Sequence, residues 1–279
     1  TIYFSMTILE EYLKKIEIYR GDKRIDYSVK TVIENRVVIN TEHLDIKKLY
    51  KVHFDTTSVE VIPHKVLDQK EFIYPKDDLG VNYTKKGSFF KVFAPTATSV
   101  KLNIYESIDS SKKESYDLAE GEFGVWEVQV KGDLKGKCYS YNVSGCLSMF
   151  DQSREVLDPY AKCVIGKTRR SIVIDPNSYP KKYTKTKKIN FEDLIIYEIH
   201  IRDVSIDKSS GSKHNGKYLA LTENSTYLNG DKKSDIKTIV SHFKDLGVNA
   251  IQIMPIQDFE NDENDENFYA WGYMPTFFD

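Results

Sequence analysis

The spacing of apolar positions changes twice along the chain, and each change predicts a different kind of structure. Near the start, Ile8, Leu9, Tyr12, Leu13 and Ile16 recur at three- and four-residue intervals with Glu and Lys between them, which predicts a short amphipathic helix. Short β runs follow: RVVINTEH (36–43), KLYKVHFD (48–55) and SVEVIPHKV (58–66), each bounded by polar turn residues. Tyr50, Val52 and Phe54 alternate onto one strand face, as do Val59 and Val61. Residues 1–79 therefore read as a small, mostly β domain with an N-terminal helix.

Asp77-Asp78-Leu79-Gly80 marks a junction. Beyond it the runs GSFFKVFAP, SVKLNIYES, GVWEVQVKG and GKCYSYNVSG alternate strictly. Phe90/Val92/Ala94, Val100/Leu102/Ile104, Trp126/Val128/Val130 and Tyr139/Tyr141/Val143 each share one face of a strand. Regular short strands separated by turn signals predict an immunoglobulin-like antiparallel β-sandwich, with its linker over residues 80–188. Trp126 shares its face with two valines, so a core position is the expectation, with a sugar-stacking platform as the alternative.

From about residue 190 the period changes again. LIIYEIHI (194–201) and VNAIQIMPI (248–256) are nearly continuous apolar runs, the pattern of parallel strands covered on both faces. Between them Ile236, Ile239, Val240, Phe243 and Leu246 share one helical face, with Ser234 as the predicted N-cap and Gly247 just past the C-terminus. This predicts a strand–helix–strand unit in residues 189–279. Its first connection, 203–233, is about thirty residues against a usual 2–6, and long loops after parallel strands are where α/β proteins carry their sites.

Composition narrows the function. Lys and Arg number 40 against 42 Asp and Glu, a net charge of −2, so neither nucleic acid nor an anionic membrane is expected as partner. No run approaches the roughly 18 apolar residues of a membrane span, and the start has no basic region with a small-residue cleavage site. Three cysteines, an odd count, predict reduced thiols and a cytoplasmic protein. Tyr is common at 19 and Phe adds 14, which β-rich cores explain as well as carbohydrate stacking does.

Several stretches in order resemble the type I pullulanases of glycoside hydrolase family 13. DDLGVNYTKKGSFFKVFAPTATSVKLNIYE (77–106) and GVWEVQVKGDLKGKCYSYNV resemble the family 48 carbohydrate-binding module that precedes their barrel. VLDPYAK (156–162) with SIVID (171–175) resembles the linker. DLIIYEIHIRDVSID (193–207) and GKYLALTE (216–223) resemble the first barrel strand and its loop; GVNAIQIMPIQDF (247–259) and YAWGYMP (269–275) resemble the second strand and the aromatic motif after it. The resemblance implies the start of a (β/α)8 TIM barrel, α-glucan as partner, no organic cofactor, and α-1,6 hydrolysis with retention of configuration. Ala270 and Met274 stand where pullulanases usually carry Asn and an acid, and Phe278 where Tyr is common. Met after Trp-Gly-Tyr is closer to isoamylases. An isoamylase or glycogen-debranching relative is therefore the alternative, and a non-catalytic glucan-binding protein is the rival from another class.

The family's catalytic Asp, Glu and Asp follow its fourth, fifth and seventh strands, so none of them falls on a residue here, and the 279 residues are expected to be inactive alone. The aromatic-rich last stretch, FYAWGYMPTFFD, reads as one wall of a cleft. By the resemblance Tyr273 stacks on glucose, while Trp271 packs beneath it or lines the same cleft. Retaining glycosidases hold two carboxyls about 5–5.5 Å apart. Asp203, Glu223 and Asp258 lie where such groups would be sought, but ion pairing or loop anchoring explains each, and no catalytic residue is assigned. His200 is read as a hydrogen-bonded core histidine. The histidines and cysteines lack metal-ligand spacing. ENDENDEN (260–267) offers oxygen ligands of the kind calcium takes without the glycine or spacing of an EF-hand, so no metal is assigned.

Overall fold

The computed structural model describes residues 1–165, 170–179, 188–259, 265 and 267–275. The chain divides into two compact units, Thr1–Ser178 and Tyr179–Asp279, taken here in turn.

The first unit contains two cores. The N-terminal core is built by β1 (Ile2–Tyr3), α1 (Glu10–Leu13), β2 (Ile16–Arg20), β3 (Lys23–Arg24), β4 (Tyr27–Ile33), β5 (Arg36–Thr41), β6 (Lys51–Phe54) and β7 (Thr57–Glu60). Among the described residues these strands form two antiparallel sheets, β1-β5-β4 and β3-β2-β6-β7, closed over Ile8, Ile16, Ile18, Ile25, Val37, Tyr50 and Val52. The predicted helix is corrected to a single turn. Its last member, Ile16, opens β2, where Ile16 and Ile18 point inward and Glu17 pairs with His53 of β6. Alternation with β-branched residues favours a strand there over continued helix. Tyr50 and Val52 are buried on one face as expected, whereas Val59 on edge strand β7 stays half exposed.

The second core is the sandwich. One sheet has the order β12 (Ala119–Glu120), β13 (Val125–Lys131), β9 (Gly87–Phe93), β8 (Gly80–Thr84). The other has β11 (Lys113–Asp117), β10 (Ala97–Tyr105), β14 (Cys138–Gly145), β16 (Arg170–Ile172), β15 (Val164–Ile165). The faces predicted from alternation are the ones that meet. Phe90, Val92, Trp126 and Val130 from the first sheet pack on Val100, Leu102, Ile104, Tyr139 and Tyr141 from the second. The Phe90 and Tyr139 rings cross edge to face at 5.1 Å. Trp126 is 6% exposed and its Nε1 donates to the Ala94 carbonyl at 3.0 Å, which makes it a core residue and removes the sugar-platform alternative. Lys47 from the N-terminal core lies over the outer side of that ring, 5.1 Å from its centroid, and its ammonium pairs with Glu120.

The outer face of the five-stranded sheet is polar yet largely covered. Ser115 donates to Asn103, Asn103 to Asn142, and Asn142 to the carbonyls of Gln152 and Arg154 in the segment that crosses this face. Glu155 fastens the same segment by accepting from the Tyr105 and Ser140 hydroxyls and from Lys113 Nζ at 2.6 Å. Burial works against its charge, but Lys113 and the two hydroxyls outweigh it and hold the carboxyl below the usual range. A depressed folded pKa means that this stabilisation is complete above the unfolded value, about 4.3, and is lost as pH falls through the folded one. Glu155→Gln is expected to lower unfolding free energy by about 1–3 kcal/mol at pH 7. In urea titrations the gap from the parent should begin to narrow as pH falls below about 4.3 and close only below the depressed folded pKa; a gap independent of pH would exclude the carboxylate as its source.

In the second unit, β17 (Ile196–Ile199) and β18 (Ala250–Ile253) pair in parallel, Ile196 opposite Ala250 and Ile199 opposite Ile253. Between them lie α2 (Ile201–Ser205), a long connection of short turns, and α3 (Ile239–Asp245). Gly247 ends α3 at φ +77°: its N–H reaches the Lys244 carbonyl, and the Val248 N–H reaches that of Phe243, a Schellman cap. The helix start is corrected. Thr238, not Ser234, occupies the N-cap, because Leu228 donates to the Ile236 carbonyl and Tyr227 bridges to Lys237, holding this stretch extended. The Ser234 hydroxyl accepts from the Ile236 N–H in a local turn.

A single strand–helix–strand unit cannot cover both faces of its strands, and here the cover is partial. Ile199 is buried, but Ile196, Tyr197, Ile251 and Ile253 are each 39% exposed or more. The seven-residue α3 covers part of one face through Phe243, whose ring lies 5.2 Å from that of Tyr197.

Candidate functional site

In the second unit a cleft of about 650 Å³ opens where the two parallel strands end, the size range of small-molecule sites. His200 and Met254, which follow β17 and β18 directly, both line it, together with Arg202, Tyr218, Phe268 and Trp271. One wall is the connection after α2. Ser210 donates to the Ser205 carbonyl, Asn215 to the carbonyls of Ser205 and Asp207, and the Gly216 N–H to the Ser205 hydroxyl. The hydroxyl and carbonyl of Ser205, buried at the end of α2, thus organise ten residues of loop.

Glu223 anchors that wall. It accepts from the Ser212 hydroxyl and from the N–H groups of Lys213 and His214. Burial opposes the charge, yet these donors keep its carboxyl below the usual range. A carboxylate stabilised in this way is a poor proton donor, and loop anchoring accounts for it. Asp203 accepts from the Tyr269 hydroxyl at 2.6 Å, and its second oxygen lies 3.4 Å from His200 Nδ1. Asp258 does not line the cleft.

His200 caps α2: its Nδ1 accepts from the Asp203 N–H, which assigns the proton to Nε2, 3.0 Å from the Ala270 carbonyl. The histidine therefore ties the end of β17 to the aromatic segment. Trp271 lines the cleft, 59% exposed, and its Nε1 donates to Tyr269 Oη at 3.0 Å. Tyr273 does not line it. It is equally exposed, with its hydroxyl on Glu198 Oε1 of β17 at 3.1 Å, and that bond pushes the phenol pKa up. The Asp203 bond does the same for Tyr269. Tyr269 was not singled out from sequence; its only signal was membership of the YAWGYMP motif. Of ENDENDEN, residues 260–264 and 266 lie outside the described residues, as does Phe278. Among the described residues no three His, Cys, Asp or Glu side chains converge as metal ligands.

Residues 78–161 match carbohydrate-binding module 48 (isoamylase N-terminal domain). The chain's relatives include both pullulanases and isoamylases. It is 34% identical over 212 residues to the pullulanase of Bacillus subtilis (strain 168), covering 75% of this chain and 28% of that protein. It superposes on the pullulanase from Bacillus acidopullulyticus with TM-score 0.74 at 31% identity, covering 86% of this chain and 29% of that one. The pullulanase from Anoxybacillus sp. LM18-11, solved in complex with maltotriose, gives 0.69 at 28% identity, covering 94% and 38%. The chain thus spans under a third of the length of the first two.

Proposed function

We propose that this chain is the N-terminal part of an α-glucan debranching hydrolase of the pullulanase type, which cleaves α-1,6 bonds in pullulan, starch or glycogen with retention of configuration. β17 and β18 are then the first two strands of a (β/α)8 barrel, and the catalytic carboxylates lie outside these 279 residues. The observation that carries this reading is the 94% coverage by a maltotriose-bound pullulanase, too extensive to omit either unit. Two features of the second unit support it. The apolar side chains on both faces of the strand pair fit a sheet that further strands and helices cover. Asp203 and Glu223, two of the carboxylates that the sequence offers for catalysis, are engaged in holding structure. α-Glucan would be taken by Trp271 in the cleft and by the exposed Tyr273 ring outside it, since either ring can lie on the apolar C–H face of a pyranose. A cytoplasmic setting belongs to the same proposal and rests on cysteine usage.

The test is titration of the purified chain with maltotriose beside an assay for reducing ends from pullulan. No hydrolysis is expected, with binding that weakens about tenfold or more in Trp271→Ala and Tyr273→Ala. Release of reducing ends would return catalysis to Asp203, Glu223 or Asp258 and overturn the assignment. Affinity untouched by either substitution would remove the glucan cleft. A second reading, an isoamylase-type debranching enzyme, draws on Met274 and on the isoamylase name of the matched module. Comparing pullulan with glycogen as substrates of an enzyme completed by the remaining barrel separates the two.

A further inference from the structure

We propose that Tyr269 is a positioning residue: anchored on Asp203, it fixes the indole of Trp271 as the stacking surface of the cleft. The inference rests on the glucan-binding reading of that cleft and names how its platform is held. The argument begins with exposure. Trp271 is 59% exposed and Tyr269 46%, so neither ring is immobilised by close packing. A tryptophan held loosely loses side-chain entropy when a sugar settles on it, and pre-fixing the ring removes that cost.

The hydrogen bonds supply the fixing, and their direction is determined. An indole nitrogen can only donate, and a carboxylate can only accept. A phenol has one proton. Tyr269 gives it to Asp203 Oδ2 at 2.6 Å, so its oxygen is left to accept from Trp271 Nε1 at 3.0 Å. The bond to the carboxylate is charge-assisted and polarises the phenol oxygen, which strengthens the second bond. Asp203 sits on α2, and its N–H is held by His200 Nδ1. The other nitrogen of the same ring meets the Ala270 carbonyl, between Tyr269 and Trp271. The His200 and Tyr269 rings also meet edge to face at 5.2 Å. The aromatic segment is therefore pinned twice to one turn of helix, through a side chain and through its backbone.

The test uses Tyr269→Phe, Trp271→Phe and their combination in the 279-residue chain. The chain has two tryptophans, and Trp126 is buried, so acrylamide quenching reports mainly on Trp271. Tyr269→Phe is expected to leave the melting temperature within about two degrees, since a half-exposed phenol oxygen contributes little to stability. It should raise the quenching constant of Trp271 about twofold and weaken maltotriose binding about tenfold. Asp203→Asn, which keeps an acceptor oxygen, should lose less affinity than Asp203→Ala. With Trp271→Phe, which has no indole N–H, the Tyr269 substitution should cost nothing further, because the two act as one unit. Unchanged quenching in Tyr269→Phe overturns the proposal whether or not maltotriose binds, and so do additive losses in the double variant. Full affinity in Trp271→Ala would instead fail the glucan reading, while the quenching result still decides the role of Tyr269.

Discussion

Phe90→Ala is expected to destabilise the sandwich by about 3–5 kcal/mol, a large share of the 5–15 kcal/mol that holds a domain folded. The ring is fully buried between the two sheets, edge-on to Tyr139, which itself stacks edge to face on Tyr141 at 6.0 Å. Truncation leaves a cavity that the surroundings cannot easily fill. Val92, Val100 and Ile104 are β-branched and stiff at χ1, and each is held in a paired strand. The midpoint of urea unfolding, followed by near-ultraviolet circular dichroism, is the measurement. A loss below about 1 kcal/mol would mean that the sheets can close over the gap, and that this face is not the centre of the core.

Gly211→Ala should be of similar size but confined to the second unit. Gly211 has φ +70°, and a Cβ there would stand 2.2 Å from the Tyr227 carbonyl oxygen and 2.6 Å from the Gly230 nitrogen. Both neighbours are backbone and hydrogen-bonded to each other, so neither can swing aside. Left-handed strain costs about 1–2 kcal/mol and overpacking about 1–3, on the order of 3 kcal/mol together. Because Thr238 Oγ1 donates to the Ser210 carbonyl next door, the damage should spread along the connection that walls the cleft. Amide exchange over 206–238 is expected to accelerate while the sandwich stays protected. Gly132→Ala is the control: φ is +99°, but nothing lies within 4 Å, so strain alone remains. Equal effects of the two substitutions would show that crowding at Gly211 is not what matters.

The sandwich was legible because its strands bury one face and wet the other, so alternation from Phe90 to Val143 names the core directly. Where both faces meet the same environment the signal fades. Most of β4 is exposed, and a register shift between Val29 and Thr31 breaks its alternation, so the YSVKTVI strand went unread. Ile8 to Ile16 gave a helical period by coincidence: the residues at its two ends serve the same core from a loop and from a strand. At α3, propensity predicted a start that the bridge between Tyr227 and Lys237 overrides from outside the helix. The site divides in the same way. Glu223 was readable as an anchor because its donors are about ten residues away, whereas the role of Tyr269 depends on a carboxylate 66 positions upstream.

Lys47 and the last strands of the sandwich bear on how this protein can be cut. The stretch that matches module 48 stops at residue 161, yet Val173 is wholly buried in the sandwich core and β16 extends the sheet beside β14. At the other edge, the Lys47 ammonium covers Trp126 from outside the module and pairs with Glu120 inside it. A fragment trimmed to the matched residues would lose strands β15 and β16 on one side and uncover an indole on the other. The smallest piece that keeps the sandwich whole therefore begins before Lys47 and runs past Val173. Family boundary and mechanical boundary do not coincide, and a transplanted module needs the second.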